Sequence, residues 1–246
     1  MNNTYTKIEH IGEAQAKYLT TLNQDKFFKL FPPNKDERKN YNDIYTQVQT
    51  YVNHHILNDF KGEEIVYKYP TRGYGRLCGT HKSCTCLQRM PRLVRAFLTQ
   101  NIYHDYDMKC CHPTILYDLC KQHNLPTQYQ HDFLINRHDI LAKAGVNKNF
   151  INTQLNTDTA SFSMRKEPRL HNLFNEWREV KSKLYNIYKE KGYVSKDSEE
   201  NPISSLMCDV FYDLEDQHLR LATGDLTDAD VLIYDGFLSK KDMSIN

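Results

Sequence analysis

Apolar residues recur at helical spacing through most of the chain. Ala14, Tyr18, Leu19, Leu22, Phe27, Phe28 and Leu30 fall on one stripe, and Pro32-Pro33 stops it because proline has no amide hydrogen to continue the ladder. The period returns over 41–58 with Tyr41, Ile44, Tyr45, Val48, Tyr51, Val52 and Ile56. These stripes predict a helical unit at the start of the chain. Beyond the polar stretch 58–64, Ile65-Val-Tyr-Lys-Tyr69 is rich in strand formers. Further helices are predicted over 93–98, from Cys111 or His112 with Ile115, Leu116, Leu119 and Cys120 inward, over 126–144 and over 147–156. The two longest stripes are Leu170, Leu173, Trp177, Val180, Leu184 and Ile187 within 168–191, and Ile203, Leu206, Met207, Val210, Phe211 and Leu214 within 202–222.

Two acidic stretches interrupt this helical text. His104-Asp-Tyr-Asp107 reads as a strand entering a helix, and alternation puts Asp105 and Asp107 on one face with Tyr106 on the other. Such a pair can hold a metal, or Asp107 can simply open the turn. Near the end, Val231-Leu-Ile-Tyr-Asp-Gly-Phe-Leu238 sets an Asp-Gly pair between strand formers, the pattern of a tight hairpin. That hairpin accounts for Asp235 as a turn residue without any chemistry.

Composition narrows the class. With 246 residues and 39% hydrophobic content, the chain supports a sizeable core, arranged as a helical appendage over 1–62 and a main domain over 63–246. No apolar run approaches the roughly 18 residues that span a bilayer. The polar start, Met1 to His10, predicts an intracellular setting, cytoplasmic or nuclear. Seven cysteines then read as thiols or ligands rather than disulfides.

A net charge of +1 does not announce a nucleic-acid partner; local charge is more telling. Lys68, Arg72, Arg76, Lys82, Arg89 and Arg92 are interleaved with Tyr67, Tyr69 and Tyr74. Cations neutralise phosphates and aromatic rings stack on bases, so the mixture suits a strand-tracking surface or an ordinary charged loop. Arg76, Gln88 and Arg92 are long donors able to reach grooves and phosphates. Within the same stretch Cys78, His81, Cys84 and Cys86 offer four soft ligands for Zn2+, in a spacing tighter than that of common zinc modules.

Four stretches in one order carry a resemblance to a known family. They are Gly75-Arg-Leu77 with Leu87-Gln-Arg-Met-Pro91, then Asp107-Met-Lys-Cys-Cys-His-Pro113, then Lys148 with the helix to Asn156, then Asn201-Pro-Ile-Ser-Ser205 followed by Ile233-Tyr-Asp-Gly-Phe237. Together they resemble the palm and fingers of a family A DNA polymerase, in a divergent form such as viruses and mobile elements encode. The departures are specific. Position 144 is alanine where that family keeps an arginine before its lysine, and Asn156 stands where it keeps a tyrosine.

The resemblance implies an α+β fold, mainly helical, with a small antiparallel palm sheet and the N-terminal helices as a thumb-like appendage. It implies a template-directed nucleotidyltransferase that extends a primer 3′-hydroxyl. Asp107 and Asp235 would hold two Mg2+ or Mn2+ ions, with Asp105 as an auxiliary acid. Lys148, Lys143 or Arg137 would meet the nucleoside triphosphate, and His112 takes the position that discriminates the sugar. Arg72, Arg76, Gln88 and Arg92 would contact primer-template nucleic acid. That family continues past its last motif, so the chain is also expected to be truncated or split, with a protein partner completing the fold. Two other classes stay open: a palm that binds nucleic acid without catalysis, and a primase or terminal transferase working without a template.

Overall fold

The computed structural model describes residues 4–32, 41–69, 75–159, 167–194 and 200–243. It is mixed α+β, with two three-stranded antiparallel sheets among many helices. No described helix is long and apolar enough to cross a membrane. The chain divides into two compact units, one of residues 1–107 with 218–246 and one of residues 108–217.

In the first unit, β1 (Thr4–Glu9), β2 (Glu63–Lys68) and β3 (Cys78–Thr80) form one sheet in that order. Strand β1 is absent from the sequence reading for a physical reason. Its partly buried or buried positions are Tyr5, Lys7 and Glu9, while Ile8 is exposed, so its alternation runs opposite to the usual apolar-in pattern. Because Thr4 pairs with Lys68 and Glu9 with Glu63, residues before and after position 62 share a sheet. The division expected at residue 62 is therefore not the one the fold makes.

The N-terminal helices confirm this sharing. Helices α1 (Glu13–Thr20), α2 (Gln24–Leu30) and α3 (Tyr41–Leu57) contribute Leu19, Phe27, Val48 and Val52 to one core. Val94 and Leu98 of α4 (Arg92–Thr99) join it, as do Val231, Ile233 and Leu238 of the C-terminal hairpin. The opposite face of that hairpin, Leu232 and Phe237, packs with Ile65, Tyr67 and Leu77.

Glu9 is fully buried in this unit and accepts from Tyr51 Oη at 2.8 Å, Tyr67 Oη at 2.9 Å and the Leu87 amide at 2.9 Å. Burial outweighs these donors and raises its carboxyl pKa to about 7. Between the unfolded value near 4.5 and 7, the folded state holds the extra proton, so stability declines as pH rises through that window. The expected loss is about 3 kcal/mol from pH 4.5 to pH 8. Urea unfolding of Glu9→Gln should show most of that slope removed; a variant with the parent's slope would exclude Glu9 as its source.

The second unit is helical: α5 (Cys111–Gln122), α6 (Gln128–Ala144), α7 (Lys148–Leu155), α8 (Pro168–Glu190) and the part of α9 (Pro202–Ala222) up to Gln217. Trp177 of α8 is 1% exposed and meets Phe133 of α6 edge-on, ring centres 5.9 Å apart. Glu176 accepts from the amides of Tyr129 and Gln130, satisfying donors that the start of α6 would otherwise leave bare. The stripe read on α8 omitted Lys181, which lies buried between two apolar neighbours of that stripe. Its ammonium donates to Leu155 O at 2.6 Å, Thr157 O at 3.0 Å and Ser204 Oγ at 2.7 Å, while burial pulls its pKa down to about 8. Asp158 accepts from the amides of Ile203 and Ser204 and so holds the start of α9. Lys181→Met removes the donor to Leu155 O, Thr157 O and Ser204 Oγ, leaves the buried Leu155 carbonyl without it, and is expected to cost roughly 1–3 kcal/mol; no measurable loss in urea unfolding would contradict this account.

Candidate metal and nucleotide site

The second sheet of the first unit has the order β4 (His104–Asp107), β6 (Gly236–Ser239), β5 (Val231–Ile233). Ile233 pairs with Gly236, so the hairpin turn is Tyr234-Asp235, with Tyr234 at φ 39°. The sequence reading had centred the turn on Asp235-Gly236. Instead Gly236 opens β6 and faces Asp107 of β4 across the ladder. A Cβ at Gly236 would lie 2.3 Å from Tyr106 O and 3.2 Å from the Asp107 Cα, so close backbone approach is what requires glycine.

This register sets Asp235 one residue along the chain from the partner of Asp107. Tyr106 alternates with Asp105 and Asp107 along β4 and stacks on Phe237, ring centres 5.0 Å apart and 17° from parallel. Asp105 pairs with Leu238, whose side chain lies in the core with Val94 and Leu98 of α4. Asp105 and Asp107 are both exposed. Arg95 of α4 is close by: burial lowers its pKa, and Asp105 foremost, then Tyr234 and Asp107, oppose that shift. Arg76 lies with its guanidinium carbon 5.4 Å from the centre of the Tyr234 ring.

The other expected nucleic-acid contacts divide. Arg92 is exposed at the start of α4. Arg72 lies outside the described residues. Gln88 is 2% exposed, with Oε1 accepting from the Gly79 amide and Nε2 donating to Leu77 O. Its amide clamps β3 to the 3₁₀ turn Leu87–Arg89, so a groove contact is not what this side chain makes.

In the second unit, α5 is preceded by Cys110, which takes a left-handed conformation (φ 57°, ψ 39°) and makes no side-chain cap. Burial raises the Cys110 thiol pKa, opposed by the charges of Arg137, Lys148 and Lys109. Two of the three expected phosphate-binding cations thus gather beside the start of α5, joined by Lys109, which the sequence reading did not select. Lys143 is engaged elsewhere, in an ion pair with Asp139 at 3.0 Å, and Arg169 reaches the same carboxylate at 3.1 Å.

His112 stands in the first turn of α5, its Nε2 3.2 Å from Glu215 Oε2 of α9. Its ring centre lies 5.3 Å from that of Phe211 and 5.6 Å from that of Tyr212. Glu215 was missed, although a signal existed: it falls four residues after Phe211, where a charged residue on the inward side of α9 stands out.

The four soft ligands expected for zinc do not converge. Cys84 Sγ is 3.0 Å from His81 Nδ1, but Cys78 Sγ faces Arg76 O and Cys86 Sγ faces Gly79 O. His81 Nδ1 also accepts from the amides of Ser83 and Cys84, which leaves Nε2 to carry the proton toward Glu63 Oε2 at 3.1 Å. Burial pushes the Cys84 thiol up to about 12 and Cys86 to about 11, consistent with protonated sulfurs.

Compared with protein-family models, curated proteins and solved structures, the chain matches none.

Proposed function

We propose that the chain is a template-directed nucleotidyltransferase, similar to a DNA polymerase, that extends a primer 3′-hydroxyl. The observation that supports this reading is the β4–β6 register, which pairs exposed Asp107 with Gly236, the residue that follows Asp235 of the hairpin turn. Carboxylates from two separate elements are what a pair of hard divalent ions requires, and oxygen donors at an open strand end fit Mg2+ or Mn2+. When bound, such ions acidify the primer hydroxyl and offset charge on the triphosphate.

The remaining roles belong to side chains. Asp107 and Asp235 supply the oxygen ligands, and Asp105 on the same strand face supplies further negative charge. Arg137, Lys148 and Lys109 bind the phosphates, with fixed positive charge that needs no reorganisation as pyrophosphate leaves. Arg76 and Arg92 meet the nucleic-acid backbone. His112, held by Glu215 and flanked by Phe211 and Tyr212, presents a fixed ring for sugar selection.

One observation favours the second reading, a palm that binds without catalysing. Arg95 sits near enough to Asp105 and Asp107 for both to oppose the lowering of its pKa by burial, and a cation there competes with metal. Primer extension with labelled nucleotides, run with Mg2+ and with Mn2+ on templated and untemplated primers, separates the readings. Templated incorporation supports the polymerase. Extension without a template selects a terminal transferase, and binding without incorporation selects the silent palm.

A further inference from the structure

The geometry points to a thiophilic metal site in the helical unit, built from Cys111 and His112 of α5 and Glu215 of α9, with Zn2+ as the ion it takes. Ligand atoms of the three residues lie within 4.8 Å of one another. Glu215 Oε2 is 3.2 Å from His112 Nε2 and 3.6 Å from Cys111 Sγ. A tetrahedral zinc with ordinary bond lengths separates its nitrogen and oxygen ligands by about 3.4 Å and its sulfur and oxygen ligands by about 3.6 Å. These two edges match, and the third, between Cys111 Sγ and the His112 ring, lies within 4.8 Å, so an ion enters as the cysteine and histidine side chains close on it.

Burial and chemistry favour the same occupant. The Glu215 side chain is fully buried and Cys111 is 8% exposed, so a carboxylate and a sulfur share a space closed to bulk water. A thiolate and a carboxylate together balance the charge of one divalent ion, whereas a buried carboxylate alone is costly. The thiol excludes a hard cation such as magnesium, and sulfur with imidazole selects zinc. His112 has 17% of its side chain exposed and gives the ion a way in, with the fourth position left to water. Binding releases the thiol proton and joins the first turn of α5 to α9. The site uses neither Asp107 nor Asp235, and His112 is the residue it shares with the proposed sugar contact, so zinc retention is read independently of incorporation.

The test is metal retention by the full chain after chelation, reloading with Zn2+ and dialysis in excess Mg2+, with Co2+ as the spectroscopic probe. One equivalent of zinc per chain is expected, and Co2+ should give a thiolate-to-metal absorption band. Cys111→Ser should abolish the band, and Glu215→Gln should weaken zinc binding more than the 10–100-fold typical of lost outer-sphere partners, roughly 10²-fold or beyond. His112→Asn changes a partly exposed ring and keeps the test decisive should the buried replacements fail to fold; it should weaken binding comparably. Cys84→Ser and Asp107→Ala should each retain the full equivalent. No retained zinc, retention unchanged in His112→Asn, or loss in Cys84→Ser would overturn the assignment.

Discussion

Asp107→Ala and Asp235→Ala are each expected to lower templated incorporation at least 10³-fold, about 4 kcal/mol of transition-state stabilisation, without weakening primer-template binding. The reasoning is local. Each residue stands at the end of a strand with its backbone already committed to the ladder or turn, so truncation removes oxygen ligands and little packing. Asp105→Ala is expected to cost no more than about tenfold, since that carboxylate is nearer to Arg95 in effect and serves as an auxiliary acid. Single-turnover extension with purified variants measures all three. Full incorporation by either Asp107→Ala or Asp235→Ala would remove the metal assignment.

Gly236→Ala should have a large structural effect on the second sheet of the first unit. The new Cβ would meet Tyr106 O at 2.3 Å and Asp107 Cα at 3.2 Å, and these are backbone atoms of β4 with no flexible side-chain end to yield. The expected cost is roughly 2–4 kcal/mol in urea unfolding, near the upper range for overpacking. Since β6 must move away from β4 to admit the methyl group, incorporation should fall together with stability, even at temperatures where the variant remains folded. A variant with parental stability and activity would show that the β4–β6 contact is looser than the register implies. At Gly145, by contrast, a Cβ meets nothing within 4 Å, and only the positive φ of 66° opposes substitution there.

Much of the second unit was legible in the sequence. The stripes through Trp177 and Phe211 gave α8 and α9 their lengths and inward faces, because a 3.6-residue period is visible without any tertiary partner. The alternation in His104-Asp-Tyr-Asp107 likewise placed Asp105 and Asp107 together, with Tyr106 opposite. Where polar groups are buried, the pattern failed. Strand β1 hides Glu9 and exposes Ile8, and α8 carries Lys181 inward; both are affordable only because tyrosine hydroxyls, carbonyls and Ser204 meet them from distant parts of the chain.

Hydropathy and alternation alone determined the run of helices and the shared face of two acids, since each depends on periods of a few residues. Tertiary structure decided that Asp107 pairs with Gly236, because the β4–β6 register joins segments far apart in the chain. It also decided that Gln88 faces inward, that Cys78, His81, Cys84 and Cys86 stay apart, and that Cys111, His112 and Glu215 come together instead. Ligand spacing along a sequence cannot anticipate such a set, since its members lie on two helices whose packing fixes the distances.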